Sequence, residues 1–273
     1  AISALQTNTG TTTGSNINST GQTWGFQALA DPDENEILCV YTDGGNSSYG
    51  TALVVDVAAD NTFTEGSEVV FNSENTTYNA LVYDTNVDRF AVFYKDSSGN
   101  TKAKVAQVDN SDSSVAFGSE AAVSSDTTVS NAAVFDPDTD RVVFVFGSND
   151  DTAVYAHVCT ITGGGTNTIA IGSECTLSTD TIGWYNNAYG IMVTYDTAAD
   201  RVLVVWSDAG DSNKVTSVVG TVTGSSTNTI AFGTEVHVTD TNTAASTNLF
   251  PAMTFDPVSG KHLFMMHNNT LGY

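Results

Sequence analysis

Phe135-Asp136-Pro137-Asp138-Thr139-Asp140-Arg141-Val142-Val143-Phe144-Val145-Phe146 is the stretch from which the architecture can be read. An aspartate that can cap the backbone, a proline that presets φ and a further Asp that tolerates a left-handed conformation make a tight turn. The β-branched and aromatic run behind it reads as a strand. The phrase recurs at Ala30-Asp31-Pro32, Tyr83-Asp84-Thr85, Tyr195-Asp196-Thr197 and Phe255-Asp256-Pro257, so its first Asp falls at 31, 84, 136, 196 and 256. A second phrase keeps the same beat: Gly66-Ser67-Glu68, Gly118-Ser119-Glu120, Gly172-Ser173-Glu174 and Gly233-Thr234-Glu235. Two phrases sharing one period of that length mark a solenoid, a propeller or an array.

Each period holds four short strand signals. In the third they are Ala132–Phe135, Arg141–Phe146, Ala153–Ile161 and Ile169–Leu177, separated by turn residues. Four such strands per repeat describe a propeller blade, and no segment carries a sustained 3.6-residue apolar period. The expectation is an all-β, five-bladed propeller forming one domain over 1–273, with blades near 24–78, 79–130, 131–182, 183–245 and 246–273. Residues 1–23 would supply the N-terminal strand that closes the last blade and removes open edges. The first two strands of each unit are the most apolar and should be innermost, with the fourth outermost. Tyr41, Tyr94, Phe146, Trp206 and Met266 end the second strands and form a packing column.

A chain of 273 residues can bury roughly 75% of its unfolded surface, so a core without staples is feasible. Thirty-one acids against eight bases give a net charge of −23. That argues against nucleic acid, whose affinity comes from Lys and Arg, and against anionic membranes. No stretch approaches the roughly 18 apolar residues of a membrane span. Cys39, Cys159 and Cys175 include no C-x-x-C pair, and Cys159 and Cys175 fall out of register on their hairpin.

Three constellations carry candidate chemistry. Asp136, Asp138 and Asp140 have a D-x-D-x-D spacing that could gather carboxylates around calcium, although the Gly and Glu of an EF-hand loop are missing. The alternative is turn capping. A polar column after the second strand, Asp43, Asp96, Ser148, Asp208 and Asn268, would form either a ring of ligand groups or a set of loop caps. Trp184, Tyr185, Asn186, Asn187 and Tyr189 combine aromatics with amides in a loop, as glycan sites do, and Tyr49 offers a smaller version. The four histidines are scattered, and no nucleophile elbow or phosphate loop occurs.

The composite of Tyr83-Asp84, Asp88-Arg89, Tyr94, Asp96 and then Phe117-Gly118-Ser119-Glu120 resembles repeats in virion structural, tail-fibre-like proteins of marine tailed bacteriophages, especially those infecting cyanobacteria. The resemblance spans about residues 26 to 267 and rests on scaffold residues. It implies a non-enzymatic protein of the virion surface or extracellular space. Such a protein would adhere to host glycans or decorate the particle, with other virion or surface proteins as partners and no cofactor beyond calcium. Two further readings stand beside it, a secreted bacterial lectin-like propeller and a propeller glycosidase.

Overall fold

The computed structural model describes residues 21–265, apart from 33, 60–61, 110, 151, 181, 183–189, 213, 224–227 and 239–251. The chain is a five-bladed β-propeller, with four five-stranded antiparallel sheets and a fifth two-stranded one among the described residues. Blade 1 runs Thr23–Ala30, Glu36–Asp43, Tyr49–Val57, then Phe63–Glu65 and Val69–Asn75. Blade 2 runs Thr77–Asp84, Arg89–Lys95, Thr101–Asp109, then Ser114–Phe117 and Ala121–Ser124. Blade 3 runs Thr128–Asp136, Arg141–Ser148, Ala153–Thr162, then Thr168–Ile171 and Cys175–Ser178. Blade 4 runs Ile191–Asp196, Arg201–Asp208, Lys214–Thr223, then Thr229–Phe232 and Val236–His237. Blade 5 contributes Ala252–Asp256 and Lys261–Met265. First strands of successive blades lie side by side, which places them innermost. The strand expected to close the fifth blade lies outside the described residues. Among the described residues no helix is long and apolar enough to cross a membrane.

The Asp phrase is a hairpin turn held by its own carboxylate. Asp136 Oδ1 accepts the N–H groups of Asp138 and Thr139 at 3.0 and 3.2 Å. Asp84 does the same for Asn86 and Val87, and Asp196 for Ala198 and Ala199. The turn's last residue is left-handed in four blades: Asp88, Asp140, Asp200 and Gly260 have φ of 55, 58, 56 and 64°. Asp and Gly are the residues that tolerate that region, so the repeat conserves them. The following Arg folds back onto the turn, Arg141 Nη1 donating to the carbonyls of Asp140 and Thr139.

The second phrase breaks the outer strand, which sequence reading had taken as continuous. In each of the four larger blades the Gly N–H still bonds the third strand, as Gly118 does to Val105 O at 2.9 Å and Gly172 to Val158 O at 2.9 Å. The interruption comes from the next blade. A Cβ on Gly66, Gly118 or Gly172 would lie 2.1, 1.8 or 2.3 Å from the carbonyl oxygen of Ser113, Asn167 or Asn228. The glycine is therefore a seam between blades. Its Glu is held within its own blade: Tyr41 and Tyr94 donate their hydroxyls to Glu68 at 2.6 Å and Glu120 at 2.7 Å. Burial and the adjoining carboxylate both push these phenols far above their ordinary range.

Burial peaks on the second strand and extends into the third, while first strands are only partly covered. The two most apolar strands of a blade are thus not both fully covered, because the first borders the axis. Tyr41, Tyr94, Phe146 and Trp206 are fully buried, as their column implied, and Met266 lies outside the described residues. Blades 2 and 3 are joined by Phe93 stacked on Phe144, with ring centroids 4.2 Å apart. Blades 3 and 4 share one cluster containing Val143, Val145, Ile182, Ile191 and Trp206. Cys159 opposes Ile171 and Cys175 opposes Ala156, so the pair is out of register and all three cysteines are free thiols.

Candidate functional site

A cleft of about 520 Å³ opens between blades 1 and 2, lined by Trp24, Gly25, Thr42, Ser48, Asn75, Thr77 and Tyr78. Both aromatic residues owe their placement to bulges in adjacent inner strands. The pairing register slips between Trp24 and Gln27 in blade 1 and between Thr77 and Ala80 in blade 2. A bulge bends the strand and re-aims a side chain. Gly25 takes φ of 58° at the first slip and Tyr78 takes 54° at the second. Glycine adopts this conformation freely, whereas a bulky aromatic held there carries strain of order 1–3 kcal/mol and persists only where its surroundings impose it.

Trp24 is 49% exposed, and the six-membered edge of its indole rests on Gly44, where a Cβ would come within 2.7 Å of the ring. Tyr78 presents its ring to Lys95, whose Nζ stands 4.6 Å from the centroid. That separation is within cation–π range, worth about 0.5–2 kcal/mol according to desolvation. Burial holds the Lys95 ammonium below the usual lysine range. Thr42 Oγ1 donates to Thr76 O at 2.7 Å, and Thr76 N–H to Ser48 O at 2.9 Å, fixing the cleft floor. Asn79, next to Tyr78, reaches Gly25 O with Nδ2 at 3.2 Å and ties the two inner strands together. Asn131 repeats that bond one blade on, to Tyr78 O at 2.6 Å.

The internal repeat shows what is special here. Pairing of Ala80 with Phe93, Ala132 with Val145 and Met192 with Val205 aligns Tyr78 with Ser130 and Gly190. The same alignment sets Lys95 against Thr42, Gly147 and Ser207. Blade 2 thus carries large side chains in two columns where blades 1, 3 and 4 carry small ones. Sequence reading missed Trp24, Tyr78 and Lys95, although comparing these columns would have exposed the last two.

Tyr49 sits beside the cleft without lining it: Ser48 precedes it, and Asn75 pairs with it across the sheet. Trp184, Tyr185, Asn186, Asn187 and Tyr189 lie outside the described residues. Asp136, Asp138 and Asp140, the residues of the calcium reading, are drawn to three different partners. Asp136 is 3% exposed and committed to its own turn. Asp140 accepts from Asn86 Nδ2 of blade 2 at 3.0 Å. Asp138 leans on Asp200 of blade 4, which raises its carboxyl above the usual range. Among the described residues no group of three or more His, Cys, Asp or Glu could hold a metal ion.

The polar column consists of loop caps. Asp43 accepts from the N–H groups of Gly45 and Asn46, Asp96 from Ser98 and Asn100, Asp208 from Gly210 and Asp211, and Ser148 from Asp150. Asn268 is outside the described residues. One hydroxyl–imidazole–carboxylate chain does form: Thr216 Oγ1 lies 3.1 Å from His237 Nδ1, and His237 Nε2 lies 2.6 Å from Asp211. Thr216 has no exposed surface, so its hydroxyl cannot meet a substrate.

No family model matches the chain, and no curated protein matches it. Solved structures similar to the chain include the following three. A putative 6-phosphogluconolactonase from Bacteroides uniformis is 11% identical with a TM-score of 0.51, covering 87% of this chain and 62% of its own. An exo-β-1,3-galactanase from Phanerochaete chrysosporium, solved with β-1,3-galactotriose, is 9% identical with a TM-score of 0.48, covering 91% of this chain and 63% of its own. The fission yeast SREBP–SCAP binding domains are 9% identical with a TM-score of 0.41, covering 91% and 61%. This chain therefore spans less than two thirds of each.

The likeness is one of fold. It nevertheless corrects the expectation of a non-enzymatic virion protein: the putative lactonase, with a TM-score of 0.51, is named as an enzyme and not as a virion protein. The scattered histidines thus do not exclude catalysis on this fold, since fold alone does not decide function.

Proposed function

We propose that the protein is a carbohydrate-binding propeller whose ligand enters the cleft between blades 1 and 2. The observation that carries this reading is the strained Tyr78, held at φ 54° on the cleft wall opposite the exposed Trp24. Strain kept at a cleft, where a glycine would serve the backbone better, marks selection for the side chain. Trp24 offers a flat apolar face for the C–H side of a sugar ring. The amide of Asn75 and the hydroxyls of Ser48 and Thr77 stand ready for its polar edge. The putative lactonase on this fold is named for a sugar-derived substrate, which agrees with a carbohydrate ligand. An extracellular setting suits the reading, since a chain of net charge −23 stays soluble in salty water.

Screening on a glycan array, followed by calorimetry and a turnover assay on each binder, tests the proposal. Trp24→Ala should weaken sugar binding at least about tenfold, a loss of roughly 1.4 kcal/mol, with the fold unchanged. A sugar bound equally by wild type and Trp24→Ala would place the site elsewhere. Product release from a bound glycan would extend the assignment to an enzyme of the glycosidase class.

A further inference from the structure

Of the four bases of blade 2, three meet polar partners and one meets an aromatic ring. Arg89 sits on the turn carbonyl of Asp88 and on Asn167 of the next blade. Lys102 pairs with Asp96 at 3.8 Å and Glu120 at 3.6 Å, and Lys104 donates to Phe71 O at 2.6 Å. Among the described residues no carboxylate pairs with Lys95, its Nζ stands over the Tyr78 ring, and burial lowers its ammonium. It stands over Tyr78 and pairs through its backbone with Thr77, both of which line the cleft. A half-buried cation without a counter-ion is costly, and proteins keep one where a ligand supplies the missing charge.

We propose that the cleft selects an anionic carbohydrate, one carrying a carboxylate, sulfate or phosphate that meets Lys95 Nζ while a ring face lies on Trp24. This rests on the carbohydrate reading above and narrows it to a ligand class. The net charge of −23 opposes any anion at long range. At about 0.15 M salt, however, charges beyond roughly 8 Å are screened, and a contact at a partly desolvated ammonium is not. A charge-assisted hydrogen bond then decides the selection.

The test compares matched pairs: an oligogalacturonide with its methyl ester, and a sulfated galactan oligosaccharide with its desulfated form, all at about 0.15 M salt. An acidic member should bind at least about tenfold more tightly than its neutral partner, the scale of one charged hydrogen bond. Lys95→Gln should abolish that preference, and Lys95→Arg should restore most of it. Lys95→Met, with an unchanged melting temperature, controls for folding because it keeps the stem that covers Tyr78. Equal affinity for acidic and neutral partners, still lost in Trp24→Ala, would overturn the anionic class and leave the carbohydrate site intact. Absence of binding to every glycan at millimolar concentration would overturn both.

Discussion

The junction between blades 1 and 2 and the junction between blades 3 and 4 are built from the same repeat and end differently. At the second, Gly147 leaves room that Ile182 fills; a Cβ there would lie 2.0 Å from Ile182 Cδ1. Ser130 Oγ accepts the N–H groups of Gly190 at 2.9 Å and Ile191 at 3.2 Å, and among the described residues the seam is filled. At the first, the columns hold Thr42, Gly25, Tyr78 and Lys95, and a cleft remains. The backbone frame is shared, so the difference lies in a few side chains at the inner ends of the first and second strands. A repeat protein can therefore keep its scaffold and place one site by changing residues at a single seam.

The contrast predicts unequal costs for the two tryptophans. Trp206 is fully buried in the cluster shared by blades 3 and 4, so Trp206→Ala should cost about 3–5 kcal/mol. Trp24, half exposed, should cost less than about 1 kcal/mol when truncated. Denaturant unfolding of both variants measures the gap, and equal losses would break the distinction between sealed and open junctions.

The glycine seam sharpens it next. Gly172→Ala drives a Cβ into Asn228 O and should cost about 1–3 kcal/mol, as overpacking does. Gly233→Ala, whose Cβ meets nothing nearer than 3.6 Å among the described residues, should cost less than Gly172→Ala.

Tyr78→Gly takes the strain out of the cleft. Its counterpart Gly25 shows that glycine fits the bulge, so the variant should be as stable as wild type or up to about 1 kcal/mol more stable. Sugar affinity should fall at the same time. A clear loss of stability would show that the phenol ring supports the fold rather than the ligand.

The smallest effect is that of mild acid. Burial raises the carboxyls of Asp84, Asp208 and Glu36 above their ordinary values of 3.8, 3.8 and 4.5. Within the window above those values the native state binds more protons than the unfolded chain, so stability rises as pH falls. Asp109, Asp196 and Asp256 are shifted down, and their contribution is lost only as pH drops below about 4. Melting temperature should therefore climb modestly from pH 7 to about 5 and decline in stronger acid. A steady fall from pH 7 downward would contradict the buried-carboxyl assignment.

Much of the fold was legible because its signals are local. Asp136 and Asp84 cap their own turns, and Val142 to Phe146 show a strand without reference to any distant residue. The break at Gly118 was not legible, since its cause is the carbonyl of Asn167 in the next blade. Tyr49 came within one residue of the cleft because Asn46-Ser47-Ser48-Tyr49-Gly50 announces a loop. Trp24 and Tyr78 gave no such announcement: they lie in inner strands, where an aromatic reads as core. The directions of the aspartates at 136, 138 and 140 were not legible either, because even spacing along a turn says nothing of where each carboxylate points.

Sequence by itself determined the number of modules, their antiparallel strands and the chemistry of their turns, since backbone capping and side-chain alternation act over a few residues. Only the tertiary structure decided that the seam of blades 1 and 2 opens as a cleft. That choice depends on side-chain volumes meeting across blades, between residues some fifty positions apart, and on bulges that aim Trp24 and Tyr78 into the same space.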